Sequence, residues 1–259
     1  MTPGPDTNKE ELSEGTLMSH LVELRSRLFK VVASVFAVFV ILMPFSRKIF
    51  NVVAEPLINV VPGGSLIALG PISPLTAVIS LAFYLSLFLS MPVILYQVWA
   101  FVAPGLYRKE KRFALPLLGS SIQLLYLGIQ FANFVVFPLI FGFTASFTPE
   151  VADYKPDMAE YVGFVMTVVL VFGLAFETPI ATVLIVWTGL TTTDKLAKAR
   201  PYVFLGAFVV GMLLTPPDVI SQTILAVPVY LLYELGLLLS RTLRPRTTED
   251  VGETPETTS

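Results

Sequence analysis

Three carboxylates in this chain sit where a carboxylate has something to do. Residues 18–30 read MSHLVELRSRLFK, and at helical spacing His20, Glu23, Arg27 and Lys30 share one face while Leu17, Leu21, Leu24 and Leu28 share another. That is the pattern of an amphipathic helix on a membrane surface, with Glu23 and Arg27 as an i,i+4 pair worth about 0.2–0.5 kcal/mol. Residues 97–112 read QVWAFVAPGLYRKEKR, where Glu110 is a lone acid among four bases. Spacing alone reads this as a basic interfacial loop, with Trp99 and Tyr107 as aromatic anchors. Glu177 is the third, inside an otherwise uncharged stretch of 33 residues, 161–193. A charge at mid-bilayer costs about 2.5–3.5 kcal/mol, so this acid must face protein, water or a polar partner. It is either a contact for such a partner, a proton site, or a structural hydrogen bond to Thr178 or Thr182. Two further acids read as structural. Glu234 lies seven residues before Arg241, near an interface where snorkelling is cheap. Asp218 follows two prolines and suits a helix N-cap at an outer turn.

No catalytic constellation accompanies these acids. The chain has no cysteine, which excludes disulfides, Cys-ligated zinc and iron–sulfur clusters, and its single histidine leaves no His pair for a metal. An intramembrane Ser–His site needs a histidine within a span, and His20 precedes the first one. No P-loop is present, so any work must draw energy from outside the chain. No enzyme, cofactor, metal site or nucleic-acid partner is expected. A six-span small-solute transporter or channel is the alternative, but it calls for polar residues along several spans and the sequence offers chiefly Glu177. No internal repeat is evident, which weighs against an inverted-repeat transporter.

The elements that must position these residues are membrane helices. Of 259 residues 54% are hydrophobic and 14% charged, against roughly a quarter charged in a soluble domain. Apolar runs long enough for spans cover about 28–46, 75–97, 113–141, 158–187, 202–214 and 219–240. Between the first two, residues 61–74 carry three prolines and three glycines and read as an ordered loop. The third run, 29 residues, exceeds a core of about 30 Å and predicts tilt or protrusion. The fourth is interrupted by Glu177 and Pro179. The fifth is short, and four residues separate it from the sixth, giving a tight hairpin. No cleavable signal peptide is expected in the acidic segment 1–15. Residues 1–241 therefore read as one six-span membrane domain with an amphipathic N-terminal helix, and 242–259 as a disordered cytoplasmic tail.

Charge supports that parse. Of the 17 Lys and Arg residues, all but Arg47, Lys48 and Lys155 fall on one alternating set of loops and tails. By the positive-inside rule both termini are cytoplasmic.

Taken in order, several of these segments resemble one family, TatC, the core subunit of the twin-arginine protein translocase. The resemblance rests on His20-Leu21-Val22-Glu23-Leu24-Arg25, on residues 92–101 (PVILYQVWAF), on Pro104-Gly105-Leu106 with Glu110, on Phe176-Glu177-Thr178-Pro179, and on residues 211–218 (GMLLTPPD). It runs from about His20 to Arg241 and is most like proteobacterial members. It implies an all-α integral membrane protein, six spans in a curved, glove-like bundle with short fifth and sixth helices. It implies Sec-independent export of folded proteins across the bacterial inner membrane, driven by the proton-motive force. Glu23 and Glu110 would receive the adjacent arginines of the signal peptide, with Phe101 nearby. Glu177 would meet a polar residue on the membrane helix of a partner, TatA or TatB, and the chain would oligomerise within the complex and contact lipid.

Overall fold

The computed structural model describes residues 5–60, 65–102, 111–147, 149, 155–214 and 218–242, with side chains from residue 22 onward except 56, 59, 60, 102 and 111–115. The described residues are helical, with one isolated bridge pairing Ile67 and Asp157. The order is α1 (Pro5–Leu42), a 3-10 turn (Met43–Phe45), α2 (Ser46–Val60), α3 (Ser73–Val102), α4 (Lys111–Phe131), a π turn (Ala132–Val136), α5 (Phe137–Ser146), α6 (Met158–Phe176), α7 (Thr178–Trp187), α8 (Thr193–Lys198), α9 (Arg200–Leu214) and α10 (Val219–Thr242). Among the described residues, five segments are long and apolar enough to cross a membrane: Val22–Glu55, Ser73–Phe101, Pro116–Ser146, Met158–Trp187 and Val219–Thr242. Arg200–Leu214 is a shorter apolar helix.

Several boundaries differ from the sequence reading for identifiable reasons. The first span and the amphipathic segment before it are one uninterrupted helix, because nothing between Pro5 and Leu42 breaks the backbone ladder. It ends at Pro44, which has no N–H to give, and the chain tightens into the 3-10 turn. Beyond it α2 is an element that the run of apolar residues does not announce. The third span continues to Ser146 through the π turn. The sixth, expected to be short like the fifth, has 24 residues, fewer than the four longer segments but enough to cross. The tail beyond Thr242 lies outside the described residues.

The chain divides into two compact units, one of residues 1–122 and 141–170, the other of 123–140 and 171–259. In the first unit α1 packs along α3 and α2 against α3. Phe50, Ala54 and Leu57 of α2 are buried at i, i+4 and i+7, and the Tyr161 hydroxyl donates to the Val53 carbonyl (2.8 Å). The Phe141 ring lies 5.7 Å from Tyr161 and 6.1 Å from Phe164. Phe29, Phe36 and Ile41 of α1 are exposed. So much apolar surface would be a liability in water and is ordinary against lipid.

In the second unit α10 is the common neighbour, packing against both α7 and α9. Helix α7 ends at Thr188, and Gly189 follows with φ 72°, the left-handed C′ position that glycine takes without a Cβ penalty. The Tyr233 hydroxyl of α10 donates to the Leu196 carbonyl of α8 (2.7 Å). At 1.5 Å per residue the 15 residues of α9 span about 22 Å, against a hydrocarbon core of about 30 Å.

Candidate functional site

In the first unit Glu23 is half-exposed on α1, one turn before Arg27. Its Oε1 accepts from Arg27 Nε (3.0 Å) and from Arg27 Nη2. Arg27 Nη1 points across to α3 and donates to Gln97 Oε1 at 3.4 Å, a long contact. Phe101, half-buried, follows Gln97 by four residues and so lies on the same face of α3. The sequence motifs around Glu23 and around residues 92–101 thus meet through Arg27. Glu110 and Tyr107 lie outside the described residues, as does the His20 side chain. Trp99 is 7% exposed and packs inside the unit.

The chemistry open to this cluster is exchange of one guanidinium for another. A carboxylate accepts a guanidinium through paired N–H donors, a geometry an ammonium cannot reproduce. The pair is partly buried, with the Arg27 side chain 20% and the Glu23 side chain 41% exposed. Neither Arg27 nor Gln97 stands out as a site residue in the sequence. Their signal was Arg27 at i+4 from Glu23 and the place of Gln97 inside the PVILYQVWAF motif.

A second organised carboxylate of this unit went unread in the sequence. Asp157 Oδ1 caps α6, accepting from the N–H groups of Ala159 (2.8 Å) and Glu160 (3.3 Å), while Oδ2 accepts from the Leu69 N–H (2.9 Å). The Ser73 hydroxyl, at the start of α3, donates to the same carboxylate at 2.7 Å. Backbone bonds from Ile67 to Pro156 and from Met158 to Ile67 flank it. With the Leu69 amide as the largest cause and Ser73 next, the Asp157 carboxyl is lowered from 3.8 to about 2. This device staples the loop after α2 to the start of α6.

In the second unit Glu177 stands at a break between α6 and α7. Pro179 has no N–H for the Ala175 carbonyl, so the ladder fails where the sequence anticipates it. The Glu177 N–H donates to Leu174 O (3.1 Å), and its carbonyl accepts from Ala181 (2.9 Å). Phe176 and Pro179 beside it are buried, and its Oε1 is buried too. The Thr182 hydroxyl donates to the Thr178 carbonyl (2.7 Å). Asp218 Oδ1 accepts from the Ser221 N–H (2.7 Å), capping α10. Glu234 takes Arg200 as a two-point fork, Nε to Oε1 at 2.7 Å and Nη2 to Oε2 at 2.8 Å, with Tyr230 donating at 2.8 Å. That fork joins α9 to α10. Among the described residues no three metal-ligating side chains converge.

These placements can be set against known proteins. The model of the family described as Sec-independent protein translocase protein (TatC) matches residues 19–228. The chain belongs to the TatC family. It is 49% identical over 247 residues to a Sec-independent protein translocase protein TatC of Azotobacter chroococcum, covering 95% of each chain. It is 52% identical over 226 residues to the TatC protein of Escherichia coli K12, covering 87% of this chain and 88% of that one. A crystal structure of the twin arginine translocase receptor TatC superposes with a TM-score of 0.79 at 37% identity, over 86% of this chain and 98% of the other. As a TatC-family protein with several apolar helices, the chain is a multi-pass membrane protein.

Proposed function

We propose that this chain is the signal receptor of a twin-arginine translocase, residues 1–241 forming one six-span domain of the inner membrane with both termini in the cytoplasm. The observation that carries the reading is the Glu23 carboxylate already gripping a guanidinium through two N–H groups. The arginines of a signal peptide displace Arg27 at Glu23 and engage Glu110, with Phe101 as an apolar neighbour. Exposed pairs are weak, so the peptide's apolar segment supplies part of the affinity. Glu177 receives a polar group from a TatA or TatB membrane helix, copies of the chain assemble within the complex, and the proton-motive force drives passage of the folded cargo. The chain itself is a receptor and not an enzyme. Support comes from family membership, from the lone acid at the break of the fourth span, and from the charge asymmetry of the loops.

The experiment is binding of a fluorescent twin-arginine signal peptide and its double-lysine variant to the chain in nanodiscs. The expected result is binding weakened about tenfold or more by the lysines, and by Glu23→Gln or Glu110→Gln. Unchanged affinity for the lysine peptide would remove both acids from arginine recognition.

A further inference from the structure

The fourth span is two half-helices that meet at Glu177, and a hinge leaves the direction of its carboxyl group to whatever holds each half. Each half makes one close approach to a glycine. On the α6 side this is Gly128 of α4. A Cβ at that position would stand 2.6 Å from the Phe172 carbonyl oxygen and 3.0 Å from Phe176 Cδ2. On the α7 side it is Gly236 of α10, where a Cβ would stand 2.9 Å from Pro179 Cα and 2.9 Å from Thr182 Oγ1. Phe172 and Thr182 lie five residues before and five after Glu177 in the sequence, so the two contacts bracket the hinge. Phe131 widens the first contact, its ring centroid 5.6 Å from those of both Phe172 and Phe176. Each contact includes a backbone atom, the Phe172 carbonyl oxygen in one and Pro179 Cα in the other, that no rotamer change moves. Gly173 differs, although it lies on α6 only four residues before Glu177. A Cβ there meets nothing nearer than 3.8 Å, which is ordinary packing.

We propose that Gly128 and Gly236 are positioning residues for Glu177, fixing the two half-helices so that its carboxyl group is aimed at the polar group of a partner helix. This rests on the reading of Glu177 as a partner contact. Any side chain at either glycine pushes one half-helix away from its neighbour and swings the acid at the hinge, while the cluster around Glu23, in the other compact unit, keeps its geometry.

The test is infrared difference spectroscopy on the full chain in nanodiscs, with the Glu177 carboxyl or carboxylate band isolated as wild type minus Glu177→Gln. The expected result is a displaced or broadened band in Gly128→Ala and in Gly236→Ala, and an unmoved band in Gly173→Ala. Should Gly128→Ala fail to fold, Phe131→Leu probes the same contact by loosening it and should also move the band. A band that stays in place in folded Gly128→Ala and Gly236→Ala, or one displaced equally by Gly173→Ala, overturns the proposal. In membranes containing TatA and TatB, a photoreactive side chain at the exposed Leu174 then reports on the partner. Its adducts should fall about tenfold in the two variants, with signal-peptide binding unchanged. If wild type gives no partner adduct while the bands still shift, the partner reading of Glu177 fails and the positioning stands.

Discussion

At Glu23 one carboxylate oxygen takes two N–H groups of Arg27, and Arg27 reaches Gln97 with a third. If Arg27 occupies the place of an incoming arginine, removing it should help the ligand. Arg27→Gln is expected to tighten twin-arginine peptide binding by up to about fivefold, the scale of one i,i+4 ion pair at a helix surface, while Glu23→Gln weakens it. Fluorescence anisotropy with both variants checks this, and weaker binding in Arg27→Gln would make Arg27 part of the site instead of its placeholder. Asp157 gives a pH prediction. Its folded-state pKa is about 2 against an ordinary 3.8, so the staple contributes fully above about pH 4 and is lost as pH falls through about 2. Hydrogen exchange at the Leu69 amide should therefore show constant protection from about pH 7 to about pH 4 once intrinsic rates are divided out. Asp157→Asn should expose that amide throughout, since its NH2 offers a donor where an acceptor is needed. The contrast between Asp218 and Asp157 shows what a sequence can carry. The cap at Asp218 is local, closing on a residue three places along, and is readable. The partners of Asp157 at Leu69 and Ser73 are 88 and 84 residues away, and no spacing encodes them.

Among the elements, the long apolar helices and the break at Glu177 were legible, because a membrane span must be continuous and apolar and because Pro179 cannot complete the ladder. Helix α2 was not. Arg47, Lys48 and Glu55 interrupt its hydropathy and Pro56 lies within it, so it fails the test for a span. Its burial signal is only the spacing of Phe50, Ala54 and Leu57, and the Tyr161 hydrogen bond that holds it comes from 108 residues away. The π turn at Ala132–Val136 has no signature in the apolar run that contains it. Helix α9 was read as short, and at about 22 Å it falls short of a core of about 30 Å. A span that short can thin the bilayer around it, which would lower the barrier to a folded cargo. Lengthening α9 by one turn of leucine should then reduce export of a reporter while leaving signal-peptide binding intact. Full export by the lengthened chain would mean that neighbouring helices make up the deficit.

For the whole molecule, orientation follows from charge. With 17 basic residues, of which only Arg47, Lys48 and Lys155 oppose the rest, the sequence predicts that α2 lies outside and Thr242 inside. The chain has no native cysteine, so single cysteines report cleanly. Asn51→Cys should react with an impermeant maleimide added to intact spheroplasts, and Thr242→Cys only after permeabilisation. The reverse pattern would invert the topology and put Glu23 on the wrong side for a cytoplasmic peptide. The apolar helices were legible because lipid admits so few structures. The meeting of Arg27 with Gln97 was not, because the two lie 70 residues apart in the chain. The central claim is that this face receives the paired arginines, and photocrosslinking from Gln97 in native membranes tests it most directly. Strong adducts with a twin-arginine signal peptide, few with its double-lysine variant and few in a Glu23→Gln background are the predicted result. Equal adducts with the lysine peptide, or none with the arginine peptide, would contradict it.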